Sequence, residues 1–374
     1  MNDPRFPQLP QGHINILKDY GTIECFNEET ILFDIGQLKY DFFVVLQGEI
    51  DIIDPSYGQK IIAHHQSQEF SGDSGILSER GSQFKGIAKE GSELIRVSPD
   101  RLKEAIAKHS SLSDILLNTF LQRQDAILSE YVGGLKLVGS GNSKEAYAIR
   151  DFMDKNYIWY NFLNVDESEE ARDLLKNFAL GDKDLPLMIC HGGHLHMKPT
   201  LDQVARFSGV LMDFEDKIFD LLVIGAGPAG LAASVYASSE GLSVVTIDSN
   251  APGGQAGKSS KIENYLGFPT GISGRDLANK AYLQAQKFGC NISIPHRAES
   301  IEHTGNHFIL CATNGKVIKT KSIIAATGAN YRQLDLENIV KFEGSGVYYS
   351  ATGMNTSSCK DEIVGVVGGG NSAG

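Results

Sequence analysis

Through roughly the first hundred residues, the apolar positions fall in short runs broken by Gly, Asp and Ser: "ETILFDIGQ", "DFFVVLQGEIDIID", "GQKIIAHH" and "ELIRVSP". Short apolar runs with turn residues between them predict β-strands. After residue 97 the period lengthens. Ser98-Pro99 supplies an N-cap and a first helical position, and Leu102, Ala105 and Ile106 then share one helical face. Leu112, Ile115, Leu116 and Phe120 repeat that spacing in a second helix. Residues 1–134 are therefore predicted to form a small antiparallel β-roll with trailing helices.

The pattern changes again over residues 135–212, where strand-like and helix-like stretches alternate. "GLKLVGS" reads as a strand, and "SKEAYAIRDFMDKN" as a helix with Ala146, Ile149, Phe152 and Met153 on one side. "YIWYNFLNVD" reads as a buried strand, "SEEARDLLKNFAL" as a helix with acidic residues in its first turn, and "LPLMICHGG" as a strand opening on Pro186. Cys190, His191, His194 and His196 cluster here. His194 and His196, two apart, would share a strand face, and imidazoles with a thiolate can hold zinc. An exposed hairpin after the Pro186 strand is the preferred reading, since structural zinc sites use four ligands from ordered elements, and no metal is assigned.

Residues 218–374 open on the most apolar run of the chain, "FDLLVIGAGPAGLAASVYASSEGLSVVTID". It predicts a buried strand, a Gly225-x-Gly227-x-x-Gly230 turn containing Pro228 and Ala229, a helix, and a second strand ending at Asp248. Gly225 permits the tight turn, Gly227 lets backbone approach a pyrophosphate, and Gly230 allows close helix–strand packing. The helix N-terminus stabilises phosphates. Asp248, 18 residues after Gly230, is placed to accept from a ribose 2′-hydroxyl. A carboxylate there repels a 2′-phosphate, so this turn fits FAD or NAD rather than NADP.

Composition narrows the function classes. The formal charge is −12 over 374 residues with no basic block, which argues against a nucleic-acid or acidic-membrane binder. Asp220, glycines and Pro228 interrupt the apolar run, so it is not a membrane span. The N-terminus lacks a signal-peptide pattern. The five cysteines include no close pair, which suits a reducing compartment, with the cytoplasm as default. The chain stops at "VVGGGNSAG", a strand and turn with no helix to follow, and is expected to be a fragment of a longer protein.

The three segments resemble known families. "VVLQGEIDII" and "FSGDSGILSERGSQFKGIA" resemble a cyclic-nucleotide-binding domain and its phosphate cassette. Asp73 stands where that family has Glu, and Gln83 and Phe84 where it has Arg and a small hydroxyl residue. Arg80 lies nearby in the wrong register. A neutral Gln cannot neutralise a phosphate, so no cyclic nucleotide is expected to bind, and a structural or docking role is preferred. The β-α-β-α-β order of residues 135–212 resembles a thioredoxin- or glutaredoxin-like domain, with Pro186 at its cis-proline. Its active turn reads "GSGNSKEA", without cysteine, so no thiol–disulfide site is expected there. The predicted fold class is multidomain: a β-roll with helices, then a thioredoxin-like α/β unit, then an incomplete FAD-binding Rossmann-type α/β unit.

The third segment resembles the thioredoxin-reductase family of FAD-dependent pyridine nucleotide-disulfide oxidoreductases. By that resemblance Gly253, Gly254 and Gln255 of "PGGQAGKSSKIENYLGFP" line the isoalloxazine and Asn264 contacts it. Thr327 and Gly328 lie where the chain returns across the FAD site, and Gly368, Gly370 and Ala373 form the second pyrophosphate turn, for NAD(P)H. The family's Cys-x-x-Cys slot in "GVYYSATG" holds Ser350 and Gly353. A hydroxyl and a hydrogen cannot carry the dithiol step. The resemblance thus implies NAD(P)H-to-flavin hydride transfer, with NADPH usual in the family, and a homodimer. Electrons would leave to a protein carrier or a small acceptor. Two alternatives stay open: a thiol–disulfide reductase using cysteines outside these residues, and a non-enzymatic flavin or nucleotide sensor that docks a partner. The stretch alone is expected to bind FAD weakly and to be inactive.

Overall fold

The protein, seen in a computed structural model, is described here over residues 3–54, 59–78, 80–130, 135–190, 194–214, 217–329, 335–343, 346–349, 359 and 362–368. The N-terminal unit runs α1 (Gln11–Tyr20), β1 (Thr22–Phe26), β2 (Thr30–Phe33), β3 (Phe42–Gln47), β4 (Ile50–Asp54), β5 (Lys60–His65), α2 (Gly75–Ser78), β6 (Lys85–Ala88), β7 (Ser92–Val97), α3 (Pro99–Lys108) and α4 (Ser110–Glu130). Two antiparallel sheets, ordered β1-β7-β3 and β2-β6-β4-β5, form the roll. Phe42, Phe43, Val44 and Val45 are all buried, because β3 packs on both faces. Leu102, Ala105 and Ile106 of α3 and Leu112, Leu116 and Phe120 of α4 close the same core. Pro99 opens α3 behind an extended Ser98, as the sequence predicts.

The second unit contains β8 (Leu135–Gly139), α5 (Lys144–Lys155), β9 (Tyr160–Asn164), α6 (Glu169–Asn177), β10 (Leu187–Ile189), β11 (Leu195–Met197) and α7 (Leu201–Phe207). Its mixed sheet is ordered β11-β10-β8-β9, with β8 and β9 parallel and β10 antiparallel to β8. The Leu185–Pro186 bond is cis. Ala146, Ile149, Phe152 and Met153 of α5 are buried. β9 departs from expectation: only Leu163 within it is buried. It is an edge strand, so one flank of the run lacks a neighbour, and the buried Ile158 and Trp159 precede the strand rather than belonging to it.

The third unit contains β12 (Ile218–Ile224), α8 (Pro228–Ser239), β13 (Val244–Ile247), α9 (Gly274–Lys287), β14 (Asn291–Ser293), β15 (Ala298–His303), β16 (Phe308–Ala312) and β17 (Val317–Ala325). The sheet order is β14-β13-β12-β17-β16-β15. β14, β13, β12 and β17 run parallel, and β15, β16 and β17 form an antiparallel meander. Ligands of open α/β sheets bind outside the carboxyl ends of parallel strands. Residues 363–368 form no regular element: the strand predicted ahead of the last glycine-rich turn is not seen there, and Ile363, Val364, Val366 and Val367 are exposed.

Candidate functional site

Three turns meet at the carboxyl ends of β12, β13 and β17. Gly225 takes φ +108°, a conformation L side chains avoid. A Cβ on it would lie 2.3 Å from the Ala326 carbonyl oxygen, so the turns after β12 and β17 press backbone to backbone. The Ala326 amide donates to Ile224 O at 2.8 Å, which brings Thr327 and Gly328 to the same edge, both exposed. Gly230 sits on α8, where a Cβ would lie 1.8 Å from Gly225 O. Ser234 then donates to Gly230 O at 2.7 Å and meets the Thr246 hydroxyl at 2.6 Å, tying α8 to β13.

Gly227 is different. Its φ of −71° is ordinary, and a Cβ there would meet nothing nearer than Gly254 Cα at 3.9 Å. Folding therefore does not demand glycine at this position. The bare Cα keeps space clear before α8, which Pro228 opens and on which Ala229 is exposed. The first-turn amides there lack intrahelical partners, and such a helix N-terminus suits a phosphate. The residues present thus fit a dinucleotide, on the evidence of a cleared cradle that the chain itself does not fill.

The loop after β13 forms the other wall. Gly253 donates to Ala226 O at 2.8 Å. Gly253 and Gly254 have φ of +95° and +52°. A Cβ on Gly253 would lie 2.4 Å from the Ala278 methyl of α9. Gly274, at the start of α9, approaches the same loop so closely that a Cβ would lie 1.8 Å from Ala256 O. Gly254, Gln255 and Asn264 are exposed along this wall. Sequence reading missed the contribution of Gly274 and Ala278, whose only signal was the Ser273 cap ahead of α9. Asp248, assigned to a ribose, engages the backbone here. Its Oδ2 accepts from Ala226 N at 2.8 Å, and its Oδ1 from Asn250 N at 2.8 Å and Ala251 N at 3.1 Å. A carboxylate has about four acceptor positions, so one remains for a ligand. Gly368 stands in an exposed segment with φ +114°. Ser350, Gly353, Gly370 and Ala373 lie outside the described residues.

The cassette of the N-terminal unit is arranged differently from a phosphate site. Asp73 is half-buried and accepts from Gly75 N at 2.6 Å and Tyr40 Oη at 3.1 Å, and desolvation pushes its carboxyl up. Phe84 packs on Trp159 at 5.7 Å between ring centroids. The Gln83 amide donates within its own turn, to Gly81 O at 3.4 Å. The guanidinium of Arg80 leaves the roll altogether and reaches Asn156, Tyr157 and Tyr282. Arg123, which sequence reading missed, is the buried cation of the roll. It donates to the carbonyls of Arg5, Gly72 and Phe70 at 2.9, 2.6 and 2.9 Å. A cavity of about 70 Å³ remains, bounded by Phe33, Tyr40, His65, Asp73, Phe84 and Arg123 among others.

Burial raises the thiols of Cys190 and Cys290 to about 11, so both stay protonated at neutral pH. His196 stacks on Phe207 with centroids 3.9 Å apart. Among the described residues, metal-ligating side chains gather at Glu49, Asp51 and His64, where Lys89 already lies 3.2 Å from Asp51. Cys190, His194 and His196 form no such group, and His191 lies outside the described residues.

An open α/β sheet behind a β-roll defines the class, and comparison with known proteins agrees. Residues 219–373 match the family described as pyridine nucleotide-disulphide oxidoreductase, and residues 23–109 match the cyclic nucleotide-binding domain. The third unit is thus similar to the thioredoxin-reductase-like members of that family, and it follows a unit similar to a cyclic nucleotide-binding domain. Thioredoxin reductase of Bacillus subtilis is 38% identical over 159 residues, covering 42% of this chain and 49% of the relative. That of Mycoplasma genitalium is 38% identical over 156 residues, covering 42% and 49%. The chain spans about half the length of these curated relatives. The crystal structure of Lactococcus lactis thioredoxin reductase aligns with TM-score 0.33 and 31% identity, over 35% of this chain and 43% of that one. No helix among the described residues is long and apolar enough to cross a membrane.

Proposed function

We propose that the protein is an FAD-dependent NAD(P)H oxidoreductase whose electrons do not leave through the usual Cys-x-x-Cys. The observation that carries this reading is the cleared cradle at Gly227, framed by Gly225, Gly230, Gly254 and Thr327 at the ends of β12, β13 and β17. In this reading Gly227, Pro228 and Ala229 face the pyrophosphate and the free acceptor position of Asp248 takes a ribose hydroxyl. Gly253, Gly254, Gln255, Asn264, Thr327 and Gly328 border the ring, and Gly368, Gly370 and Ala373 belong to the nicotinamide-nucleotide turn. Bound FAD supplies hydride acceptance from NAD(P)H, while the chain binds and orients.

The family's dithiol step needs a thiolate to attack a disulfide. Ser350 and Gly353 offer none, and the protonated thiols of the half-buried Cys190 and the buried Cys290 are poor nucleophiles. In this reading the acceptor is a protein carrier or a small oxidant. A homodimer and a cytoplasmic location follow the family. No cyclic nucleotide is expected to bind the first unit, a reading supported by Arg80 donating to Asn156, Phe84 packing on Trp159 and Arg123 donating to three carbonyls.

Stopped-flow spectroscopy of the full-length protein tests the reading. NADPH is expected to bleach bound flavin while thioredoxin disulfide stays oxidised. Flavin that NADPH leaves oxidised would remove the enzyme reading, and thioredoxin reduction would restore the disulfide-reductase one.

A further inference from the structure

Arg80 lies in the cassette loop of the β-roll, yet every hydrogen bond of its guanidinium among the described residues goes to the other two units. Its Nη2 donates to Asn156 O at 3.1 Å and to Tyr282 Oη at 3.2 Å, and its Nη1 to Tyr157 O at 3.5 Å. Its Cζ stands 5.8 Å from the Tyr282 ring centre. The fit around it is close: a Cβ on Gly209 would lie 3.2 Å from Arg80 Cα.

The groups it holds lead to the dinucleotide site. Asn156 Nδ2 donates to Asn250 O at 2.9 Å, just beyond Asp248, and Tyr157 Oη donates to Arg275 O at 2.9 Å in the first turn of α9. Tyr282 is itself on α9. The N-terminal end of α9 is the floor of the 253–259 loop, through Ala278 against Gly253 and Gly274 against Ala256. The Gly274 amide also donates to Ser259 O at 2.8 Å. Phe84 on Trp159, and Asn279 Nδ2 donating to Gln124 at 3.0 Å, flank this path on either side.

We propose that Arg80 is a positioning residue for the dinucleotide site: the cassette loop braces α9 and, through it, the 253–259 loop. The brace rests on the assignment of that loop to the flavin, given under the proposed function. Arginine suits the task because its planar fork satisfies two backbone carbonyls and a hydroxyl at once, which a lysine ammonium does less well. With the guanidinium gone, the Asn156 and Tyr157 carbonyls lose their shared donor, and α9 keeps Leu283 in the core of the roll and the Asn279–Gln124 bond.

The test is made on the chain with Arg80→Ala, Arg80→Lys and Tyr282→Phe, with Lys108→Ala on the exposed end of α3 as control. Two quantities are read: amide hydrogen exchange over residues 253–259 and 274–282, and FAD affinity by flavin fluorescence. Arg80→Ala is expected to speed exchange in both stretches and to weaken FAD binding about tenfold. Arg80→Lys should recover part of both effects, and Lys108→Ala should change neither. Tyr282→Phe should give a smaller effect that disappears in the Arg80→Ala background, since the two groups act as one. Exchange over 253–259 equal to wild type in folded Arg80→Ala overturns the proposal, as does a Tyr282→Phe effect that adds in full. If Arg80→Ala does not fold, Tyr282→Phe, which removes a single oxygen, decides by the same exchange. Failure of the wild-type chain to bind FAD would defeat the flavin assignment, and the exchange result would still decide whether Arg80 braces the loop.

Discussion

Gly227 and Gly230 lie three residues apart in one turn and are glycine for different reasons. At Gly230 the chain itself forbids a side chain, since a Cβ would lie 1.8 Å from a carbonyl oxygen. At Gly227 the chain leaves room. Gly230→Ala is therefore expected to destabilise the third unit by on the order of 3 kcal/mol or more, because backbone must move. Gly227→Ala should cost less than about 1 kcal/mol yet weaken FAD binding at least about tenfold, because its methyl enters the cleared space. Thermal melts paired with FAD titration check this. Equal melting losses in both variants, or unchanged FAD affinity in Gly227→Ala, would refute the division of roles. The motif spacing made both glycines legible in the sequence, but only coordinates separate a folding demand from a ligand demand. Asp248 was likewise legible as an acid at the right distance. Its three backbone donors were not, because they depend on how the turns after β12 and β13 fold back. Arg123 was illegible for another reason: a lone arginine on a helix reads as surface until the elements that cover it are known.

At the scale of elements, several strands with apolar runs were readable, while β1, β6 and β16 were missed. β1 is largely exposed and so lacks an alternating signal. β6 carries Gly86, whose missing side chain admits the Phe33 ring: a Cβ there would lie 2.4 Å from it. Edge position also misled, since β9 looked buried from composition alone. The enclosure of His65 at the end of β5 yields a pH dependence. His65, at the end of β5, is almost fully enclosed, beside Phe6 at 5.6 Å and with Glu69 Oε2 3.9 Å from its Nδ1. Burial lowers its pKa from 6.5 to about 4, Arg123 and His64 act in the same direction, and Glu69 opposes them. In the unfolded chain this imidazole takes up a proton near pH 6.5. Folded, it stays neutral until about pH 4. Below pH 6.5 the unfolded state therefore binds more protons, and stability falls as pH drops through this window, then stops falling below about 4. The whole shift corresponds to roughly 3 kcal/mol. His65→Gln removes the titrating group. The stability difference between wild type and this variant, followed by urea unfolding, should shrink between pH 7 and 4. A difference that is flat over that range would exclude the mechanism.

The cores of the whole molecule do not respect the boundaries visible in the sequence. The cluster that fills the β-roll also contains Trp159 from the second unit and Leu283 from α9. A second cluster joins Leu137, Phe152, Met188 and Val210 with Leu221, Val223, Leu231 and Ile292 of the third unit. Backbone groups cross the same seam: Ile294 N donates to Val210 O at 3.0 Å, and Met212 N to Ser293 Oγ at 2.8 Å. Ser293 is in turn 2.9 Å from His296 Nε2, whose other ring nitrogen meets Asn314. Apolar periodicity marks where each unit begins, but it carries no record of which face is shared, so this coupling could not be read from the sequence. Each large apolar side chain stripped of its cover forfeits about 1.5–3 kcal/mol, and a unit of this size loses about 2–4 °C in melting temperature per kcal/mol. Residues 218–374 expressed alone lose the cover of Val210, Met188 and Phe152 together. They are expected to melt at least about 10 °C below their transition in the chain, or to aggregate. The intact chain should unfold in one calorimetric transition, because the units cannot separate without exposing both shared clusters. Arg80→Ala, which loosens the contacts of the roll with Asn156, Tyr157 and α9, should broaden that transition without splitting it. Well-separated transitions in the wild-type chain, together with an isolated piece that melts where it does in the chain, would show that the shared clusters contribute little, and that the units are independent after all.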